Sequence, residues 1–493
     1  MKQKTVTIAA IVVVALAAAY PASSWFIGKR IEAMRGEIDA QIAEQSFFKL
    51  IRNDYERGLF DATSTITVEI PAGFPPGAPS VPAAAEESPD APEASPAPIS
   101  VTFKTAIRHG PLLDSGALGA GSAVTVIEFD EAIRQKVLEV FGGQPPLEIR
   151  TRYDFDGGGR FTIASPAFSV VLPDKTAERS ATLSGDGLEI TGEFTRGLEQ
   201  YSLRGGAPRF EIAGMDGVRV MLTGLAIDAD AQRLFPDEPL LYIGPQRFSL
   251  ARLEVDPGAA PEALDDDDDE KELSKLALTD ISCYVQTEAS GEFIDSLARI
   301  SAAGLRIGEQ DYGPAAYDFS MKHLHARKLA AFNREYMALF ADQAKTPWNK
   351  ERLAPIQERI VAMLLDDPIL SIDRIAFNTP DGEAKISASI RLIDARAEDF
   401  VRPLLLAAKI DAAAELALPV PLVTALAASD AEDETEALER SGMVEQVIAS
   451  LVEQGFATAD GGIFHSRLTF LKGQLLLNDK PFNPLAMALD LSR

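Results

Sequence analysis

The sequence feature that most constrains the fold is an alternation of apolar and polar residues with a period of two. Apolar Leu188, Ile190 and Phe194 alternate with polar neighbours, and residues 218–223 repeat the pattern. Because successive side chains of a strand point to opposite faces, this pattern indicates strands with one buried and one solvated face. Glycine-rich turns at 184–187 and 205–208 separate the strands. We therefore expect an α+β fold, mainly antiparallel β: an elongated, twisted β-meander with several amphipathic helices packed on it.

The amino terminus predicts a membrane anchor. Residues 5–28 carry no charged side chain, and a helix over the mostly apolar residues 5–26 reaches about 33 Å, enough to cross a hydrocarbon core of about 30 Å. Trp25 and Phe26 precede Lys29 and Arg30, an order typical of a membrane–water boundary. We predict a transmembrane helix at 1–28 with its N-terminus in the cytoplasm and the rest outside. A cleaved signal peptide ending near residues 17–19 is the alternative.

The remainder divides by composition. A juxtamembrane amphipathic helix is predicted at 29–52, an N-terminal β-rich region at 53–270 and a C-terminal α+β region at 271–493. Within the β-rich region, a proline-rich insert at 71–98 and an acidic loop at 262–272 are predicted to be disordered or solvated. The acidic run lacks the spacing of an EF-hand, which disfavours calcium binding. Amphipathic helices are predicted at 327–343, 350–365 and 441–453.

Charge and composition exclude several functions. A net charge of −27 disfavours nucleic acid as a partner, because binding a phosphate backbone requires lysine and arginine. One cysteine, Cys283, cannot form an internal disulfide. The sequence contains no Gly-x-Ser-x-Gly, Walker or His-Glu-x-x-His motif. It therefore predicts no catalytic residue and no cofactor.

Two histidine motifs admit more than one interpretation. His323 and His325 would share one face of a strand and could hold a metal with Asp311 or Asp318, but a pair of polar residues on a solvated face is favoured. His109 could act as a general base, but it has no carboxylate or nucleophile near it in sequence. A structural role is favoured for it also.

A set of short motifs resembles the YdgA-like family of Gram-negative envelope proteins. The motifs are residues 24–29 after the apolar start, a group before the first strand, a group after the second strand, and the segments 279–281, 368–372, 379–384 and 471–478. The two middle groups consist of Tyr55, Arg57, Gly58 and Phe60, and of His109, Gly110 and Pro111. Packing is the favoured interpretation of these seven residues. The resemblance implies a single-pass inner-membrane protein with a periplasmic domain, in a family of unknown function.

Two functions are compatible with the sequence. The first is a non-enzymatic envelope scaffold or binding protein, whose partner is an envelope protein or a lipid-like ligand held on an apolar sheet face. The alternative is a periplasmic hydrolase that acts on envelope polymers with two carboxylates as acid and base. The binding role is preferred. An uncovered apolar groove would favour it, and two buried facing carboxylates would favour the hydrolase.

Overall fold

A computed structural model describes residues 20–33, 36, 49–70, 99–113, 116–129, 131–173, 180–214, 217–258, 275–308, 310–341, 350–429 and 434–482. The proline-rich insert at 71–98, the acidic loop at 262–272 and residues 1–19 of the predicted anchor lie outside these ranges. Among the described helices, none has the combination of length and hydropathy that crossing a bilayer demands.

Within these described ranges, twenty-four strands form one antiparallel sheet. The strands of the first half are β1 Lys49–Arg57, β2 Asp61–Ile70, β3 Ile99–His109, β4 Gly121–Glu128, β5 Glu148–Tyr153, β6 Gly159–Ser165, β7 Phe168–Pro173, β8 Ser180–Gly185, β9 Leu188–Phe194, β10 Gln200–Ala213, β11 Arg219–Arg233 and β12 Tyr242–Asp256. Those of the second half are β13 Leu276–Ser290, β14 Phe293–Ala302, β15 Gly304–Ile307, β16 Gln310–Tyr312, β17 Ala315–His325, β18 Ile369–Thr379, β19 Gly382–Leu392, β20 Ile410–Pro419, β21 Thr458–Asp460, β22 Ile463–Leu471, β23 Gln474–Leu477 and β24 Lys480–Pro481.

Seven helices are described with these strands. Residues 20–33 are helical and are called α1, and Gly36 is helical also. The others are α2 Glu131–Val140, α3 Ala326–Ala341, α4 Lys350–Leu364, α5 Pro403–Ala407, α6 Val420–Ala428 and α7 Glu434–Glu453. Helices α3, α4 and α7 lie at the three positions where amphipathic spacing predicts helices.

The sheet is a meander with side branches. Each of β1 to β5 pairs with the next, β6 pairs with β9, and the series continues through β14, β17 to β20 and β22 to β24, with the short β21 also paired to β22. The hairpin β7–β8 joins β10, and the hairpin β15–β16 joins β13. Strands β12 and β13 pair across the predicted division at residue 270, so the sheet continues through it. The prediction of an α+β, mainly antiparallel fold is confirmed.

The predicted juxtamembrane helix at 29–52 is wrong at its end. Residues 49–52 belong to β1, which pairs with β2 from Lys49 opposite Glu69 onwards. Hydrogen bonding to β2 outweighs the helical spacing of the apolar residues, since local propensity is a weak determinant beside tertiary pairing.

The buried core is concentrated in two clusters. One joins Ala326 and Ala330 of α3 to Ile294 and Leu324 of the sheet and to Leu241, which precedes β12. The other joins Ile31 of α1 to Ala62, Ile107 and Ala123 of β2 to β4. Helices α3 and α4 pack on each other, as do α6 and α7. The helices therefore cover only parts of the sheet.

Candidate functional site

One face of the sheet is apolar across twelve neighbouring strands. Directly opposed residues of an antiparallel pair lie on the same face, so the register traces a row of side chains across the sheet. The row is Ile149, Ile163, Ile190, Gly205, Ile227, Phe248, Cys283, Ile300, Tyr317, Ile375, Ile386 and Leu416. We call the side of the sheet that bears this row the apolar face.

The other side, the polar face, carries the adjacent row one residue along each strand. That row is Thr191, Arg204, Asp228, Arg247, Tyr284, Arg299, Asp318 and Arg374. Ion pairs cross between its strands, including Arg204 to Asp228 at 3.2 Å and Arg391 to Asp411 at 2.8 Å. Such exposed pairs contribute little to stability but keep this face solvated.

Large side chains of the apolar face remain partly open to solvent. Relative exposure is 40% for Phe248, 41% for Ile300, 40% for Tyr317, 40% for Ile386 and 44% for Ile390. Single exposed hydrophobic residues are common on protein surfaces, but a contiguous exposed patch marks an interaction site. The apolar face has that character.

A groove deepens the apolar face where β17 to β20 and β22 lie side by side. Its volume is about 380 Å³. Ala388, Ala412 and Ala414 form the floor, because their side chains are the smallest in the two rows that cross it. The larger side chains that border the floor are Phe319, Leu370, Ile372, Leu468 and Phe470. Ser371 and Ser389 also border the groove, but their side chains point to the polar face because they occupy the intervening strand positions.

The groove suits an occupant that makes no hydrogen bonds. Backbone N–H and C=O groups of β17 to β20 are paired within the sheet, so they are not available to a peptide lying on the face. A peptide would bury its own polar groups there without partners, which is costly. A hydrocarbon chain has no such groups. The five strands span roughly 19 Å, a length suited to an extended acyl chain.

The residues of the family motifs meet in one place, where α1 packs on β1 to β4. We call this contact the junction. The Oγ of Ser24, which is fully buried, donates to the carbonyl of Leu59 at 3.2 Å. Ile31 is 4% exposed and packs on Ala62 and Ile107, with Tyr55 at the edge of the cluster.

Polar and aromatic contacts surround the junction. The Nε of Arg57 lies 3.0 Å from a carboxylate oxygen of Glu32, and its guanidinium lies 5.7 Å from the ring centre of Trp25. Phe60 stacks on Tyr20 with ring centres 5.9 Å apart. Gly58 donates its N–H to the carbonyl of Asp61 at 2.8 Å, which closes the turn between β1 and β2.

His109 lies in the centre of the junction and is 3% exposed. Its Nδ1 is 3.4 Å from the carbonyl of Leu59, whereas its Nε2 has no hydrogen-bond partner among the described residues. A side chain at Gly110 would collide with the carbonyl of Gly119, and the peptide bond to Pro111 is cis. The seven predicted motif residues therefore lie at or beside the junction. No local pattern indicated that Gly28 of α1 would contact the His109 ring.

His323 and His325 are aromatic partners of Phe293. The His323 ring stacks on Phe293 at 4.0 Å and its Nδ1 lies 2.8 Å from the carbonyl of Asp366, while His325 contacts Phe293 edge-on at 5.5 Å. Asp311 is engaged by Arg306 at 2.6 Å. Within the described part of the chain, no three histidine, cysteine or acidic side chains are grouped as a metal site.

A second, polar depression of about 1010 Å³ lies over the ends of β9 to β13. Burial raises the pKa of Tyr201 at its border, with Tyr242 adding to the effect. Of the carboxylates around it, the exposed Glu193 is paired with Arg160 at 3.0 Å. The buried carboxylate of Asp399, elsewhere in the fold, accepts a hydrogen bond from the Arg396 backbone at 2.9 Å. These observations do not favour paired acid and base catalysis.

The structure thus defines a class: an antiparallel β protein with one extended apolar face and a helix docked at the first strands. The chain belongs to the family described as "Bacterial protein of unknown function (DUF945)", which matches residues 1–484. It is similar to Protein YdgA of Escherichia coli (strain K12), with 22% identity over 95% of this chain and 92% of that protein. No solved structure matches the chain. The resemblance to a YdgA-like family of unknown function is confirmed.

Proposed function

We propose that this protein is an envelope protein, anchored in the inner membrane by its N-terminus, that binds an acyl chain of a lipid on the apolar face of a periplasmic sheet. The observation that carries the proposal is the contiguous apolar face with a groove floored by alanines. Burying each methylene of an acyl chain there contributes about 0.8 kcal/mol. The proposed role is binding, without catalysis.

The location rests on the amino terminus and the family resemblance. Residues 5–28 lack charge, and the helix that contains their end docks on β1 to β4 through Ser24 and Ile31. Because residues 20–33 form the docked helix, the part of the uncharged stretch that can enter the membrane is residues 5–19. A periplasmic reporter fused after Arg493 is expected to be active. Activity of a cytoplasmic reporter at that position would contradict the proposed location.

The groove is tested by filling it. Ala414→Trp and Ala412→Trp place an indole on the groove floor, whereas Ala413→Trp on the same strand places it on the polar face. Binding of a phospholipid with a fluorescent acyl chain to the purified full chain is the measurement. We expect the first two variants to bind at least about tenfold more weakly than the parent, because the indole occupies space that methylenes would fill.

The control must retain binding for the result to be specific. Melting temperatures of the three variants establish that they fold. If Ala413→Trp weakens binding as much as Ala414→Trp does, or if none of the variants changes it, the groove does not hold the acyl chain. Full binding by folded groove variants would leave the protein-scaffold role as the better account.

A further inference from the structure

The connection between β19 and β20 carries large apolar side chains directed to solvent. Relative exposure is 80% for Val401, 89% for Leu404 and 46% for Leu405. We call residues 401–405 the tip. Val401 and Leu404 thus keep most of their aliphatic side chains in water, although burying each would be favourable by about 1.5–3 kcal/mol.

The backbone holds the tip in this outward position. The carboxylate of Asp399, 6% exposed, accepts from the N–H of Arg396 at 2.9 Å, and the carbonyl of Asp399 accepts from the N–H of Arg402 at 2.9 Å. Pro403 then begins α5, a position that suits proline. The turn is closed by its own hydrogen bonds, so the apolar side chains are presented by a defined structure.

The segment 396–409 is slightly basic in a strongly acidic protein. It carries Arg396, Arg402 and Lys409 against Glu398 and the buried Asp399, whereas the chain carries a net charge of −27. Arg396 lies 3.9 Å from Glu398, and Arg402 and Lys409 form no ion pair with another described residue. Aliphatic side chains flanked by bases are typical of segments that enter the interface of an anionic bilayer. Leucine and valine are under-represented at the energetic centres of protein interfaces, which disfavours a protein partner.

The tip also lies beside the groove, at the ends of the strands that cross its middle. Strand β19 ends at Leu392, two residues beyond Ile390 of the groove, and β20 begins at Ile410, two residues before Ala412. We propose that the tip inserts Val401, Leu404 and Leu405 into the surface of an anionic bilayer and places the side of the groove near it. The link to the groove rests on the proposed function, whereas the membrane contact stands on the tip alone.

The experiment places a polarity-sensitive nitrobenzoxadiazole probe on the tip of the full chain. The variant is Leu404→Cys with Cys283→Ser, so that one thiol is labelled, and the matched control is Ser389→Cys on the exposed polar face of β19 in the same background. The chain is held in phosphatidylcholine nanodiscs. Vesicles of phosphatidylglycerol and phosphatidylethanolamine, or of phosphatidylcholine, are then added. Nitroxide groups on the acyl chains of the nanodisc or of the vesicle quench a probe that enters that bilayer.

We expect emission from residue 404 to shift to shorter wavelength with anionic vesicles and to be lost when their acyl chains carry nitroxide, with no change at residue 389. Val401→Glu, which changes an exposed side chain, should retain the melting temperature and weaken this vesicle binding at least about tenfold. Emission at 404 that stays water-like with every lipid would overturn the inference. So would a probe that is shielded before anionic lipid is added and is not quenched by any acyl-chain nitroxide, because that result indicates a protein contact.

The two proposals fail separately. If the probe at 404 is quenched in the Ala414→Trp background while the acyl chain no longer binds, the tip acts independently of the groove. If the acyl chain binds and the probe stays in water, the result supports the groove proposal and the tip inference is wrong.

Discussion

Gly28 is the residue on which the contact between α1 and the sheet depends most closely. A Cβ atom at this position would lie 2.5 Å from Cε1 and Nδ1 of His109. The ring of His109 is buried, and the backbone N–H of the same residue donates to the carbonyl of Phe60 at 2.8 Å. There is thus little freedom for the ring to move away.

Gly28→Ala is expected to weaken the junction by about 1–3 kcal/mol through overpacking. In an unconstrained helix the same change would stabilise by up to about 1 kcal/mol. Gly36→Ala is the control, because Gly36 is helical and a Cβ atom there would meet no other atom within 4 Å. Hydrogen exchange of the amides of residues 20–33 measures the effect. Equal exchange in the two variants would show that Gly28 is not a close contact.

Asp237 provides a pH-dependent contact at the residue scale. The hydrogen bond from Arg327 at 2.7 Å holds the pKa of the Asp237 carboxyl below its ordinary value. A carboxyl whose pKa is lowered by folding stabilises the protein above the pKa of the unfolded chain, about 3.9, and this contribution is lost as the pH falls through the folded value.

Asp237→Asn should therefore lower the melting temperature slightly at neutral pH, and the difference from the parent should shrink as the pH falls below about 3.9 and vanish below the lowered pKa of the folded state. High salt should also reduce this difference in melting temperature, because it screens exposed charges. Asp460→Asn, which changes an exposed aspartate of β21, is the control and should show neither dependence. A difference in melting temperature that is constant from neutral to acid pH would contradict the assignment.

Single residues show where sequence reasoning was sufficient. Packing was favoured for His109 because nothing near it in sequence suggested chemistry, and for Tyr55 because Gly58 allows a kink beneath which it can pack, and both lie at the junction. That the motifs would meet could not be derived, because Gly28 and His109 are far apart along the chain. Such contacts depend on the path of the whole chain.

At the scale of elements, β2 and β3 are joined as a hairpin whose ends already meet. Ile70 is paired with Ile99, and the register continues without a shift to Asp61 opposite Arg108. The insert at 71–98 therefore connects two residues that the sheet holds side by side.

Replacement of residues 71–98 by Asn-Gly is expected to preserve the fold, because this dipeptide favours a two-residue hairpin turn. Shortening the connection should raise the free energy of unfolding by about 1–2 kcal/mol, because a shorter loop costs less entropy to close. The measurement is denaturant unfolding of the two full chains. A Gly-Ser linker as long as the insert is the control, and it should match the parent. Loss of stability in both variants would mean that the insert contributes contacts of its own.

Alternation predicted individual strands but not every partner. Strand β9 pairs with β6, as Ile190 opposite Ile163 shows, while β7 and β8 branch to the end of β10. A strand with one apolar face can pair with any similar strand, so local pattern does not choose between them. The helix boundary before β1 was wrong for the related reason that pairing with β2 decides it.

For the whole molecule, the sequence predicted an apolar face but not whether helices cover it. Amphipathic spacing is equally consistent with helices packed on the sheet and with helices packed on each other. In the structure α3 packs with α4 and α6 with α7, and Ile386 and Ile390 are left partly exposed. The groove floor follows from the alanines of β20, whose apolar character was visible but whose alignment with Ala388 required the register.

Site-specific photo-crosslinking in living cells tests the central claim most directly. Benzoylphenylalanine would replace Ile386 or Ile390 on the apolar face, and Ser387 or Ser389, their neighbours on β19, on the polar face. Because adjacent residues differ only in the side to which they point, expression and location are matched. We predict that mass spectrometry finds lipid attached at residues 386 and 390 and not at 387 and 389. Equal lipid attachment at all four positions, or none at 386 and 390, would contradict an acyl-chain site on the apolar face.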